Sequence, residues 1–162
     1  MLRRLETALD RDNLAQNIVF LSRAKSPRTH LNPAEATISF VVGFNGSAHS
    51  QAALDLALCV AHQTRLVKAN PVLVHVVYVV DATRPKAIAD ADRILWQARC
   101  LASEWRGALH AHLRVGSVAG ELSQVAQEVE ADLLLLGCYT ANHRLVNQLA
   151  EHTPCSVVGL PR

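Results

Sequence analysis

The chain has 162 residues, half of them apolar and 4% aromatic, with 16 Lys/Arg against 14 Asp/Glu and a net charge of +2. That length suits one domain with a single sizeable core, which Val, Leu, Ile and Ala must fill because rings are scarce. Residues 1–36 hold six Lys/Arg and four Asp/Glu, which accounts for the whole excess; the neutral remainder argues against a nucleic-acid-binding domain with its usual basic face.

Residues 1–36 read as an arm. Leu2, Leu5 and Leu9, then Leu14, Ile18 and Leu21, recur at spacings of three and four, which predicts amphipathic helix. Asp12 is a plausible N-cap for the second stretch. Ser26-Pro-Arg-Thr-His30 and Asn32-Pro33 then read as a linker. The stripe of Leu14, Ile18 and Leu21 either packs on its own domain or a dimer mate, or docks in a partner's groove. Membrane contact is disfavoured, because acidic residues dilute the basic face. Acidic residues also follow Met1-Leu-Arg-Arg at once, so no export signal is read, and a cytoplasmic protein is expected. No apolar stretch approaches the roughly 18 residues of a membrane span. The four cysteines, Cys59, Cys100, Cys138 and Cys155, form no CxxC pair and read as reduced thiols.

From Ile38 the pattern alternates. A strand over 38–44 is followed by a helix over 50–64. A second strand lies within 71–80, and a long helix runs over 87–105. Strand three covers 109–115, and Gly116-Ser117 opens a helix with Leu122, Val125, Ala126 and Val129 inward. Strand four covers 132–136, a short helix 144–151, and strand five 156–160. Such alternation predicts a parallel α/β sheet with right-handed crossovers and helices on both faces. Phe40-Val-Val-Gly-Phe-Asn-Gly-Ser47 and Leu133-Leu-Leu-Leu-Gly-Cys-Tyr-Thr140 each run from an apolar strand into glycine and turn residues. The loops at the carboxyl ends of such strands form the ligand crevice of open α/β folds.

These segments carry a resemblance. Phe40–Ser47 is followed by His49-Ser-Gln-Ala-Ala-Leu-Asp-Leu-Ala57 and Val72-Leu-Val-His-Val-Val77. Val115-Gly-Ser-Val-Ala-Gly-Glu-Leu122, Ala131-Asp-Leu-Leu-Leu-Leu-Gly137 and His152-Thr-Pro-Cys-Ser-Val-Val158 come next. In this order and spacing, residues 38–162 resemble a universal stress protein domain. The division is therefore an arm and linker over 1–36 and a domain over 37–162. The resemblance implies a five-stranded sheet of order 3-2-1-4-5 and a dimer along the last strand. Edge logic points the same way, because an unpaired apolar final strand, Ser156, Val157, Val158, Gly159 and Leu160, invites a second chain.

Many members of the family bind ATP through Gly-x2-Gly-x9-Gly followed by Ser or Thr. Here Gly137 supplies the first glycine, Thr140 stands in place of the second, and the closing Gly-Ser is missing. The segment is about seven residues shorter than the usual phosphate cradle. Asn45 replaces an acidic residue that contacts the nucleoside. The resemblance places Val76 against adenine, although plain core is the commoner role of a strand valine. Gly43, Phe44, Asn45, Val76, Gly137, Thr140, His143 and Arg144 are therefore the candidate residues of a degenerate nucleotide site. No cofactor beyond a weakly bound adenine nucleotide is expected, and no metal. His110-Ala-His112 puts two imidazoles on one strand face but lacks a third ligand, and His75 reads as a hydrogen-bonded core residue. Cys138 is the one thiol in the crevice. No nucleophile–base or paired-carboxylate motif stands out, so an enzyme is not expected. The leading reading is a dimeric stress-response adaptor that acts through protein contacts and has weak or lost ATP binding. The alternative is a sensor of AMP, a cyclic nucleotide or ATP, and a third is an enzyme on a related fold.

Overall fold

The computed structural model describes residues 18–23, 37–82, 85–105, 109–140 and 143–161. Its strands are β1 Val19–Leu21, β2 Ile38–Gly43, β3 Val72–Val80, β4 Leu109–Val115, β5 Leu133–Cys138 and β6 Ser156–Pro161. The helices are α1 Ala48–Val67, α2 Pro85–Glu104, α3 Val118–Glu128 and α4 Arg144–His152. The sheet order is β1-β6-β5-β2-β3-β4, parallel throughout except for β1. Among the five parallel strands the succession is the expected 3-2-1-4-5. The whole sheet departs from expectation, because a sixth, antiparallel strand extends it.

Period-two alternation divides the interior into two cores. Phe40, Val42, Val74, Val76, Leu135 and Val158 point to α1 and α2. Their chain neighbours Val41, Val77, Leu134, Leu136 and Val157 point to α3 and α4. Strands covered on both faces must be apolar at every position, which is why they read as unbroken runs. α1 is rich in Ala and Leu, good helix formers that also present a thin buried face. It starts two residues earlier than periodicity suggests, because Ser47 accepts a hydrogen bond from the Ser50 amide as N-cap.

The arm is the main correction. Ile18 is not helical and Val19–Leu21 is a strand, paired Val19 to Gly159, Phe20 to Val158 and Leu21 to Val157. Ile18 packs against the α1/α2 core, and Val19 and Leu21 against the α3/α4 core. Leu14 lies outside the described residues. Ile18 and Leu21 therefore do not share a docking stripe. The run Ile-Val-Phe-Leu combines β-branched and aromatic residues, and an open sheet edge offers it ladder partners that an isolated helix lacks. Two further expectations change. The domain draws in residues before 37, and Ser156–Leu160 is not a free edge, since β1 covers it from Val157 to Gly159. No helix among the described residues is long and apolar enough to cross a membrane.

The amino ends of the central strands are tied together by a polar pair. The Ser39 amide donates to Asp132 Oδ2 at 2.9 Å, and the Asp132 amide donates to the Ser39 carbonyl at 2.8 Å. Hydrogen bonds to a carboxylate are stronger than neutral ones. Asp132→Ala is expected to lower unfolding free energy by roughly 1.5–3 kcal/mol, read as a reduced urea midpoint at an unchanged slope.

Candidate functional site

β2 lies between β3 and β5, so the crossovers leave it in opposite directions and a crevice opens beyond its carboxyl end. A cavity of about 200 Å³ sits there, below the roughly 300–1,000 Å³ of drug-sized ligand pockets. The first loop forms one wall. Asn45 Oδ1 accepts from the Ser47 amide at 3.1 Å, closing an Asx turn, and the Asn45 amide donates to Ser50 Oγ at 3.3 Å. Gly46 completes the turn at φ 78°, a left-handed conformation suited to glycine. The side-chain oxygen of Asn45 thus does what a carboxylate would do in this turn.

Gly137 forms the floor. A Cβ there would lie 2.5 Å from the Ser50 amide nitrogen and collide with the His49 carbonyl. The missing side chain lets the start of α1 rest on the end of β5, which brings His49 onto Tyr139, with ring centroids 4.2 Å apart. Tyr139, 72% exposed, stands at the cavity mouth. On the far side His143 is the N-cap position of α4 but makes no side-chain capping bond. Its Nδ1 is buried and has no partner among the described residues.

Of the eight candidate residues, Gly43, Phe44, Asn45, Gly137 and His143 line the cavity. Thr140 and Arg144 are exposed and lie off its lining. Val76 is fully buried against α1 and α2, and its neighbour Val77 lines the cavity instead. That correction is one residue of register, which on a strand means the opposite face. Cys138 is also turned away, buried in the α3/α4 core, and burial raises its thiol pKa, so it carries no reactive thiolate. Sequence reasoning missed His49, Tyr139 and Tyr78. An aromatic residue directly after the Gly-Cys turn was the available signal for Tyr139.

Among the described residues the lining contains no Asp, Glu, Lys or Arg. The starts of α1 (Ser47, His49, Ser50), α3 (Val118) and α4 (His143, Leu145) converge on it instead. Helix amino ends carry partial positive charge and unpaired amides, so the cavity favours a modest negative charge without a cation.

A second polar cluster lies lower on the same face. His75 Nδ1 is 3.0 Å from His112 Nε2, and the His75 ring stacks on His110 at 5.2 Å. His75 Nε2 is buried without a partner among the described residues. No group of three or more His, Cys, Asp or Glu among the described residues is arranged to hold a metal. Burial, with His112 and His110 adding to it, lowers the His75 pKa from 6.5 to about 4. His112 is lowered too, by burial, Arg114 and His110, while Glu128, paired with Arg114, opposes.

Against this fold and cavity, the chain matches the universal stress protein family over residues 39–160 and belongs to that family. A family protein from Burkholderia pseudomallei is 27% identical with TM-score 0.61, over 76% of this chain and 96% of that one. The structure of the universal stress protein from Archaeoglobus fulgidus in complex with dAMP is 17% identical with TM-score 0.61, over 76% and 97%. A universal stress protein in complex with cAMP is 24% identical with TM-score 0.59, over 78% and 98%. A search of curated proteins gave no match.

Two predictions follow from these contacts. His75 is neutral in the fold and titrates near its ordinary value when unfolded, so the unfolded chain binds the extra proton. Its contribution is complete above pH 6.5 and is lost as pH falls toward 4, by up to roughly 3 kcal/mol. Urea midpoints from pH 7.5 to 4.5 should fall accordingly, and His75→Asn should flatten the curve. Gly137→Ala should destabilise by roughly 1–3 kcal/mol through backbone overpacking, seen as a lowered melting temperature.

Proposed function

We propose that this universal stress family member is a cytoplasmic regulator, not an enzyme. Its cavity takes an adenine nucleotide with one phosphate, such as AMP or a cyclic nucleotide, and it acts through protein contacts. The supporting observation is the lining: three helix starts and an aromatic pair, with no charged side chain among the described residues. Convergent amides suit a single phosphate. A triphosphate needs cations or a long glycine-rich cradle, and neither lines this cavity among the described residues. Relatives in complex with dAMP and cAMP support a ligand with one phosphate. The Ser50 hydroxyl donates to the Ser47 carbonyl and the Ser47 hydroxyl to Ser50, so neither serine is paired with an imidazole as a nucleophile would be.

Calorimetry tests the reading. AMP or cAMP should bind about tenfold or more tightly than ATP, the loss of one charge-assisted hydrogen bond being enough for that ratio. Tyr139→Ala should weaken AMP about fivefold, for a stacking contact of about 1 kcal/mol. ATP binding at low micromolar or tighter overturns the reading. If no adenine nucleotide binds at all, the second reading, an adaptor with no ligand, takes its place; the small cavity favours it.

A further inference from the structure

We propose that residues 18–23 are a displaceable cap on β6: the chain closes its own sheet edge, and releasing the cap exposes that edge to the β6 strand of a second copy. The proposal is independent of what the cavity binds.

The cap is anchored at a defined point. The Arg23 guanidinium donates to the Thr153 carbonyl at 2.6 Å and to the Glu151 carbonyl at 3.2 Å, at the carboxyl end of α4. Carbonyls at a helix end carry partial negative charge, so a cation is favoured there. The Arg23 amide donates to Ser156 Oγ at 3.1 Å, and that hydroxyl faces the Arg23 carbonyl at 3.4 Å.

Direction makes the pairing internal. β1 runs antiparallel to β6, so the chain leaves it at Arg23, beside Ser156. Ser156 pairs with Leu133, and Leu133 with Phe40, which places the exit at the same end of the sheet as the start of β2. Three strand spacings separate them, roughly 15 Å. Residues 24–36, at roughly 3.3 Å each, cover that with chain to spare. No exchange between copies is needed.

The same cap is light. It covers three positions of β6, while β5 pairs with all six on the other side. Phe20 stays 57% exposed. The edge beneath is shown by β1 itself to accept an antiparallel apolar strand. A second β6, reaching it across a two-fold axis, is antiparallel by symmetry, and Val157-Val158-Gly159 is close in chemistry to Val19-Phe20-Leu21. The cap and the second copy therefore compete for one edge.

The test is a full-length chain carrying Phe20→Cys and Val158→Cys, which face each other in register, with Cys100→Ser to remove the exposed thiol. Oxidised, it should hold an intrachain disulfide on a non-reducing gel and sediment as a monomer at every concentration. Its own reduced form is the reference and should dimerise as concentration rises. Leu21→Asp with Arg23→Ala, in the full chain, should open the cap and lower the concentration for dimerisation about tenfold or more, as loss of an anchor hydrogen bond to a charged group would. If that variant unfolds, the oxidised and reduced forms of the cysteine protein still make the comparison. An interchain disulfide that peptide mapping assigns to position 20 of one copy and position 158 of the other would mean that the arm is exchanged and would overturn the proposal, whereas one joining the two 158 positions is the β6–β6 pairing itself. A locked form that dimerises as readily as the reduced one, or a folded open variant that stays monomeric, would also overturn the proposal.

Discussion

The cavity depends on the close approach of α1 to the end of β5 over Gly137. With no Cβ in the way, the His49 carbonyl and Ser50 amide sit directly on the strand. That contact sets the height of the first loop and aims the α1 amino end at the crevice. It also brings His49 to Tyr139, two residues beyond the glycine. Gly137 therefore shapes the site by permitting a helix to pack. Whether it also meets a phosphate is a separate matter, and the packing role alone explains why this position is glycine.

The second constraint is burial of the central strands on both faces. It makes them legible as strands, since they are apolar without interruption, and it also hides which face each residue serves. Val76 and Val77 are indistinguishable by character, yet one packs under α1 and α2 while the other lines the cavity. Ordinary alternation cannot resolve such a pair, because both faces demand the same chemistry. Loop positions are more legible: Asn45, Gly137 and His143 lie in the cavity lining, and turn chemistry and glycine punctuate a sequence locally.

The polar clusters show the opposite case. His75 lies 37 residues from His112, and nothing local links them. Only the β3–β4 register, His75 beside His110, brings the three rings together. Burial then removes water from His75 and His112 and lowers both pKa values, and the neighbouring rings add to the effect. The arm was misread for a related reason. Apolar residues at spacings of three and four suit a helix, but Ile18–Leu21 is also a run of good strand formers. An available sheet edge outweighs the weak preference of a short isolated segment.

By itself the sequence determined the alternation of strands and helices, the parallel sheet, the place of the crevice and the family. The first three follow from periodicity and glycine placement within a dozen residues, where hydrophobic burial imposes a local pattern; the family rests on the resemblance of several such segments in their order and spacing. Only the tertiary structure decided the sixth strand, the face on which each valine lies, the His49–Tyr139 pair and the histidine cluster. These depend on strand register and helix packing between distant segments. A period-two pattern buried on both sides places no constraint on either.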